Sequence, residues 1–343
     1  MKESGTVDQE LETKYKNHQS RKERSLLEKE QDKERAKSNK NYHVATFDLE
    51  AVLTTLCSLV SQAYYKRKLC CYNLSFYSLG NNKGTCYLWN ETEGEQRSSE
   101  VGTCLYKYVN SFPPHISHIC FYSDNCMGQN RNKFVSSALL CAVTGSNYLK
   151  IIDQKFLESE LRKWNVTPCI PRSNLQSARP MFIFPANGTV IHMARRHNPY
   201  VVVPIRHWDF IDFKEVQNEN FKNTERDIND DKVRWRDIVH LQYRKESPDH
   251  IFYKYVLEDQ DFKSIKVKQP KRGKPSSMSL QNLPRKYKSR LSISTAKKED
   301  LLSLCRSGVI PADCSSFYEA LPVNKSTKNR LAEPDMEEDD FTD

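Results

Sequence analysis

His43-Val44-Ala45-Thr46-Phe47-Asp48-Leu49 is the stretch from which the fold is read. It is rich in strand formers and predicts a first strand that closes on an acid. Leu69–Leu79 predicts a second strand, and Asn81, Asn82, Lys83 and Gly84 predict a turn into a third, Thr85–Asn90. Ser98–Phe112 has helical spacing, with Val101, Leu105, Tyr108 and Val109 on one face, and Pro113-Pro114 ends it. His115–Tyr122 predicts a fourth strand and Asn130–Val143 a second helix, stopped by Gly145; Leu149–Leu157 predicts a fifth strand. Three consecutive strands pair as an antiparallel meander, whereas the later strand-helix-strand connections demand parallel crossovers. The expected architecture is α/β, a mixed five-stranded sheet with helices on its faces.

The flanks read differently. Residues 1–41 are almost entirely polar and predict an exposed helix or disorder, since no face is apolar enough to bury. The core is expected over 42–215, with a degraded pattern and four prolines between Glu158 and Arg196, so that 159–193 reads as disrupted. Order returns at Tyr200-Val201-Val202-Val203, and Trp235–Gln242 and Ile251–Leu257 predict short additional elements within 216–262. The basic, Pro- and Ser-containing run Lys263–Lys288 predicts a linker over 263–294. A small helical unit is expected over 295–322, with a turn at Gly308, followed by a disordered acidic tail over 323–343.

Only 38% of the 343 residues are apolar and 28% are charged, which assigns much of the length to tail or linker. A net charge of +9 is compatible with DNA or RNA as a partner. The eleven cysteines contain no C-x-x-C pair, which favours reduced, buried thiols in an intracellular protein over a zinc site. No N-terminal apolar run predicts a signal peptide, and no apolar stretch approaches the ~18 residues of a membrane span.

In an RNase H-like arrangement of this strand order, the first and fourth strands are parallel neighbours about 4.8 Å apart. Asp48 ends the first and Asp124 ends the fourth, so the two carboxylates are the candidate catalytic, metal-binding pair. Two metals about 3.5–4 Å apart, held by hard oxygens, are what phosphodiester transfer needs, and Mg²⁺ or Mn²⁺ suits such ligands. An aspartate at a strand end is also a common turn former or helix cap. In the loop Asn125–Asn132, Gln129, Asn130 and Arg131 suit phosphate or sugar contacts, and amides there equally suit capping of the next helix. Tyr64-Tyr65-Lys66-Arg67-Lys68 mixes aromatics with base, as nucleic-acid stacking requires, and also reads as a solvated basic turn. No G-x-S-x-G, H-E-x-x-H or P-loop is present.

Residues 123–132, Ser-Asp-Asn-Cys-Met-Gly-Gln-Asn-Arg-Asn, resemble the hallmark of a transposon-derived domain family of arthropod and fish genomes, Ser-Asp-x-Cys-Gly-Gly-Gln-Asn-Arg-Asn. The sequence departs from it at Met127. Thr46–Leu49, Tyr65–Leu69, Lys155–Ser159, Ala194–Arg196 and Asn198–Tyr200 are similar as well, so the resemblance covers about residues 42–320. It implies an RNase H-like core, Asp48 and Asp124 as two of the metal acids, and a nuclear location. It also implies a longer N-terminal part rich in Cys and His, so that this chain reads as partial. After Leu-Glu-Ser the family has Gly-His and then Glu-Cys-Asp-Ser-Met-His, which would supply a third ligand; Glu160–Arg179 contains neither. Trp164–Pro171 can be encoded as TGG AAT GTG ACT CCA TGC ATT CC, which from its third base reads Glu-Cys-Asp-Ser-Met-His-Ser. That coincidence predicts a frameshift or misjoined exon there. Asp153, Glu158 and Glu160 are the acids left to substitute. The expected protein is transposase-derived, catalytically inactive and nucleic-acid binding. A working Mg²⁺-dependent nuclease or strand-transferase is the first alternative, and a protein-interaction module the second.

Overall fold

The computed structural model describes residues 4–50, 52–54, 56–57, 65–157, 181–182, 199–221, 223–267 and 282–327. The expected disrupted segment, apart from 181–182, and most of the acidic tail lie outside the described residues, as do Glu158 and Glu160.

The main elements are helix α1 (Ser4–Ser38) and strands β1 (Tyr42–Leu49), β2 (Leu53–Thr54), β3 (Leu56–Cys57), β4 (Cys70–Ser78) and β5 (Gly84–Asn90). Helix α2 (Ser98–Asn110), β6 (His118–Asp124), α3 (Lys133–Gly145) and β7 (Ile151–Leu157) follow. Beyond them come β8 (Met181–Phe182), β9 (Val201–Pro204), α4 (Phe213–Asn220), β10 (His240–Arg244), β11 (His250–Lys254) and β12 (Lys263–Lys266), then α5 (Thr295–Arg306) and α6 (Ser315–Glu319).

The inner strands run in the order β7-β6-β1-β4-β5. β1, β6 and β7 are parallel, and β4 and β5 form the antiparallel meander. This is the α/β, RNase H-like arrangement that the sequence predicts. The sheet is larger than five strands, however: among the described residues ten belong to it, in the path β12-β11-β10-β7-β6-β1-β4-β5-β9 with β2 beside β4. β9 adds parallel to β5 at one edge, and β10–β12 add an antiparallel extension at the other. Pairings such as Thr85 with Val201 join residues too far apart for local periodicity to announce.

One face of the sheet carries the core. Phe47, Phe76, Tyr108 and Phe121 pack ring to ring, and α2, α3 and α4 close over them through Leu105, Ala138, Leu139 and Phe213. Gly102 permits the close approach of these helices: a Cβ there would meet Ala138 and Phe213 at 3.1 Å. Asn132 caps α3 by accepting from Phe134 N and Val135 N.

The opposite face is crossed by α1, and here the expectation of a helix without a buried face is corrected. Ser25, Lys29 and Asp32 are buried, Ala36 sits over Gly80, and Arg24 pairs with Glu258. The face buries through charge and hydrogen bonding because the sheet beneath it is itself polar, with Tyr42, Tyr122 and Lys155 pointing up.

The expected linker is also corrected. Lys263–Lys266 is the edge strand β12, and Leu283 and Tyr287 pack against the core. Tyr287 and Lys286 bond the buried Glu100 carboxylate. The C-terminal unit has its own small core of Ile293, Leu301, Leu304, Ile310 and Tyr318 around Leu69. Gly308 adopts φ +70 after α5. A buried ion pair, Lys297 to Glu91 at 2.7 Å, fastens the unit to the end of β5. Seven described cysteines are buried without disulfides, and burial pushes the Cys104 and Cys120 thiols well up. Among the described residues no helix is long and apolar enough to cross a membrane.

Candidate nucleic-acid and metal site

Thr46 pairs with Tyr122 in the parallel ladder of β1 and β6. That is the last pair of the ladder; two residues further on along each strand, and so on the same face as that pair, come Asp48 and Asp124 at the carboxyl ends of β1 and β6. Both are half-buried. On the far side of Asp48 its cross-strand neighbour is Ser75, whose hydroxyl donates to Glu50 at 2.8 Å. On the far side of Asp124 the level position in β7 is Leu157.

The loop after β6 is built around Asp124. Its Oδ1 accepts from Cys126 N at 3.1 Å and from Asn130 Nδ2 at 2.5 Å. Asn130 N and Arg131 N both donate to Cys126 O, and Gln154 Nε2 donates to Asn130 O. Asn132 Nδ2 returns to Met127 O, and Ser98 Oγ donates to Gly128 O. Met127 packs its side chain against the core. The loop amides therefore hold the backbone that presents Asp124. The buried Asn130 Oδ1 has no hydrogen-bond partner, which leaves an oxygen donor beside the acid pair.

A hard divalent cation fits two carboxylates and retained water. Among the described residues, no group of three His, Cys, Asp or Glu side chains could hold a metal. The described set thus fits one loosely held ion and gives no basis for a two-metal step.

The remaining candidates are placed as follows. Arg131 is buried, its guanidinium donating to Ile238 O at 3.0 Å and stacking 5.5 Å from the Phe156 centroid. It therefore ties the loop to the approach to β10. Gln129 is half-buried in the loop, and Asn130 is buried beneath it. Lys66 and Arg67 both turn to Asp300 of α5, at 3.2 and 2.8 Å, and Lys68 is half-buried. The run that reads as a basic patch joins the C-terminal unit to the sheet.

Asp153 does not reach the acid pair. It is buried four residues back along β7 from Leu157, where Oδ2 meets His118 Nε2 at 2.6 Å and Oδ1 meets both His240 Nε2 and Gln242 Nε2 at 2.8 Å. Burial pushes its carboxyl up, but the charge of His240 and hydrogen bonds from His118 and His240 outweigh this and hold it far below the ordinary range. As a substitute metal ligand it is excluded by this geometry.

Sequence reasoning missed a second polar cluster under α1. Asp32 accepts from Tyr42 Oη at 2.7 Å, Tyr122 Oη at 2.6 Å and Lys155 Nζ at 2.6 Å, and Glu28 takes a further bond from Lys155 at 2.6 Å. Burial pushes Asp32 up, but the Lys155 charge and the three donors prevail and lower it. The signal was present in part: Tyr42, Cys120, Tyr122, Asp153 and Lys155 occupy every second position of their strands, which marks a polar face. Comparison with family models, with curated proteins and with solved structures gives no match.

Proposed function

We propose that the chain is a transposase-derived, RNase H-like protein that binds nucleic acid at the carboxyl ends of β1 and β6 and does not cleave it. The observation that carries this reading is that Asp48 and Asp124 each follow, by two residues, the last paired residues Thr46 and Tyr122 of neighbouring parallel strands. Asp48 and Asp124 would hold Mg²⁺ or Mn²⁺, which would supply positive charge to a phosphate. Cleavage needs more. A second metal about 3.5–4 Å away requires further hard ligands, Asp153 is committed elsewhere, and the family's third-ligand motif is replaced at Glu160–Arg179. On this reading the protein works in the nucleus, with DNA or RNA as its partner.

The test is Mn²⁺ titration of the full chain, followed by binding and cleavage assays on labelled oligonucleotides. The expected results are weak Mn²⁺ binding lost in Asp48→Asn and Asp124→Asn, nucleic-acid affinity that falls with salt, and no cut product. Metal-dependent cutting abolished by Asp124→Asn makes the protein a nuclease and overturns the inactive reading. Protein partners without salt-sensitive nucleic-acid affinity overturn the binding reading.

A further inference from the structure

We propose that the face of β10–β12 beside α1 is a stacking platform for single-stranded nucleic acid, built on the half-exposed Arg244, Phe252, Lys254 and Phe262; it rests on the nucleic-acid reading above. The three strands alternate cleanly. Leu241, Tyr243, Ile251, Tyr253 and Ile265 are buried on the core side, while Gln242, Arg244, Phe252 and Lys254 are half-exposed on the other. Register carries that face across the sheet: Gln242 pairs with Asp153 and His240 with Lys155, two residues short of Leu157, which is level with Asp124. The platform and the acid pair therefore share one face.

Its geometry suits bases. The Arg244 guanidinium lies 3.9 Å over the Phe252 ring and 5.4 Å from that of Phe262, and Lys254 Nζ lies 4.4 Å over Phe262. Arg244 Nε donates to Gln242 Oε1 at 2.6 Å, and Gln242 donates to the buried Asp153. That chain of bonds fixes the guanidinium plane. Its Nη groups have no hydrogen-bond partner among the described residues. Bases and guanidinium planes stack, and the Nη groups suit a phosphate.

Charge points the same way. Lys66, Arg67, Lys155, Lys286 and Lys297 each have a carboxylate partner inside the fold. Arg244 and Lys254 form no ion pair with a carboxylate among the described residues, Lys254 donating to the Asp259 carbonyl, while Lys266 acts on Asp249. Asp249 beside this face is bonded to His250, and Glu258 in the β11–β12 loop to Arg24. Three strands span roughly 10–14 Å, room for two or three unpaired bases. A duplex hides its base faces, so the occupant is single-stranded.

The experiment is fluorescence anisotropy of the full chain with labelled oligothymidylate, oligouridylate and a duplex of equal length, repeated with Phe252→Ala, Phe252→Trp and Arg244→Gln. Phe252→Ala is expected to lower single-strand affinity about tenfold or more, with Phe252→Trp restoring it and duplex binding unmoved. Arg244→Gln, which removes no core group, is expected to reduce the salt slope by about 0.7. A difference between the DNA and RNA strands identifies the sugar preferred. If the wild-type chain binds nucleic acid and all three variants bind equally well, the platform is overturned and the broader reading survives. If the wild-type chain binds no nucleic acid, both fall.

Discussion

Asp32→Ala tests how α1 is held to the sheet. Asp32 is 7% exposed and accepts from three donors within 2.7 Å, one of them the ammonium of Lys155, whose side chain is 6% exposed. Removing one partner of a buried pair costs about 3–5 kcal/mol, because the other charge stays buried without compensation. Glu28 remains at 2.6 Å from Lys155 and is itself 37% exposed, so it recovers part of the loss. The expected destabilisation is therefore near the lower bound, about 3 kcal/mol. At about 2–4 °C per kcal/mol for a domain of this size, the melting midpoint falls by roughly 6–12 °C.

Circular dichroism melts and urea titrations measure that loss, and hydrogen exchange locates it in α1, β1, β6 and β7. The decisive variant is the double substitution Asp32→Ala with Lys155→Met. Removing the stranded charge is expected to recover at least half of the stability. A single variant within about 0.5 kcal/mol of wild type, or a double variant no better than the single, refutes the account of α1 as a helix held by buried charge. The sign with pH follows from the lowered Asp32 carboxyl. Its contribution is fully present above the ordinary value of 3.8 and is lost as pH falls through the lower folded value.

Three further outcomes are expected. Asp153→Asn removes an acceptor whose folded carboxyl is held far below 3.8, so the variant's deficit, about 2–4 kcal/mol near neutral pH, shrinks as acid protonates the wild-type group; urea melts over an acid pH series check this. Lys297→Met strands Glu91, which is 4% exposed, and is expected to cost about 3–5 kcal/mol, with protease cutting first between the C-terminal unit and the sheet; a unit that stays protected contradicts the assigned anchor. In Gly84→Ala the new Cβ would lie 2.2 Å from the Tyr200 ring, so overpacking of about 1–3 kcal/mol and displacement of β9 are expected, seen as faster exchange over Val201–Pro204.

How legible this protein was depends on the range of the interaction. The alternation in His43–Leu49 and the helical spacing through Leu105 and Leu139 are local patterns, and they yield the inner strands, α2 and α3. Tyr200–Val203, Trp235–Gln242 and Ile251–Leu257 read as further short elements, but that β9–β11 join the main sheet, and that β12 is a strand, escaped because a strand of four or five residues is defined by its partner, and Val201 meets Thr85 only in the folded chain. The candidate site divides the same way. Asp48 and Asp124 follow from strand order and length, whereas the place of Arg131 against Ile238 depends on a segment 107 residues away.

The sequence by itself determined the α/β class, the order of the core elements and the strand-end positions of the two acids, because backbone periodicity is written in neighbouring residues. Tertiary structure alone decided which charges are spent and which remain. Lys66 and Arg67 pair at the surface with Asp300, Lys155 finds Asp32 at a separation of 123 residues, and Arg244 is left lying on Phe252 with its Nη groups open among the described residues. A buried charge must find a partner, since desolvation penalises it otherwise, and that partner is set by the packing of distant elements.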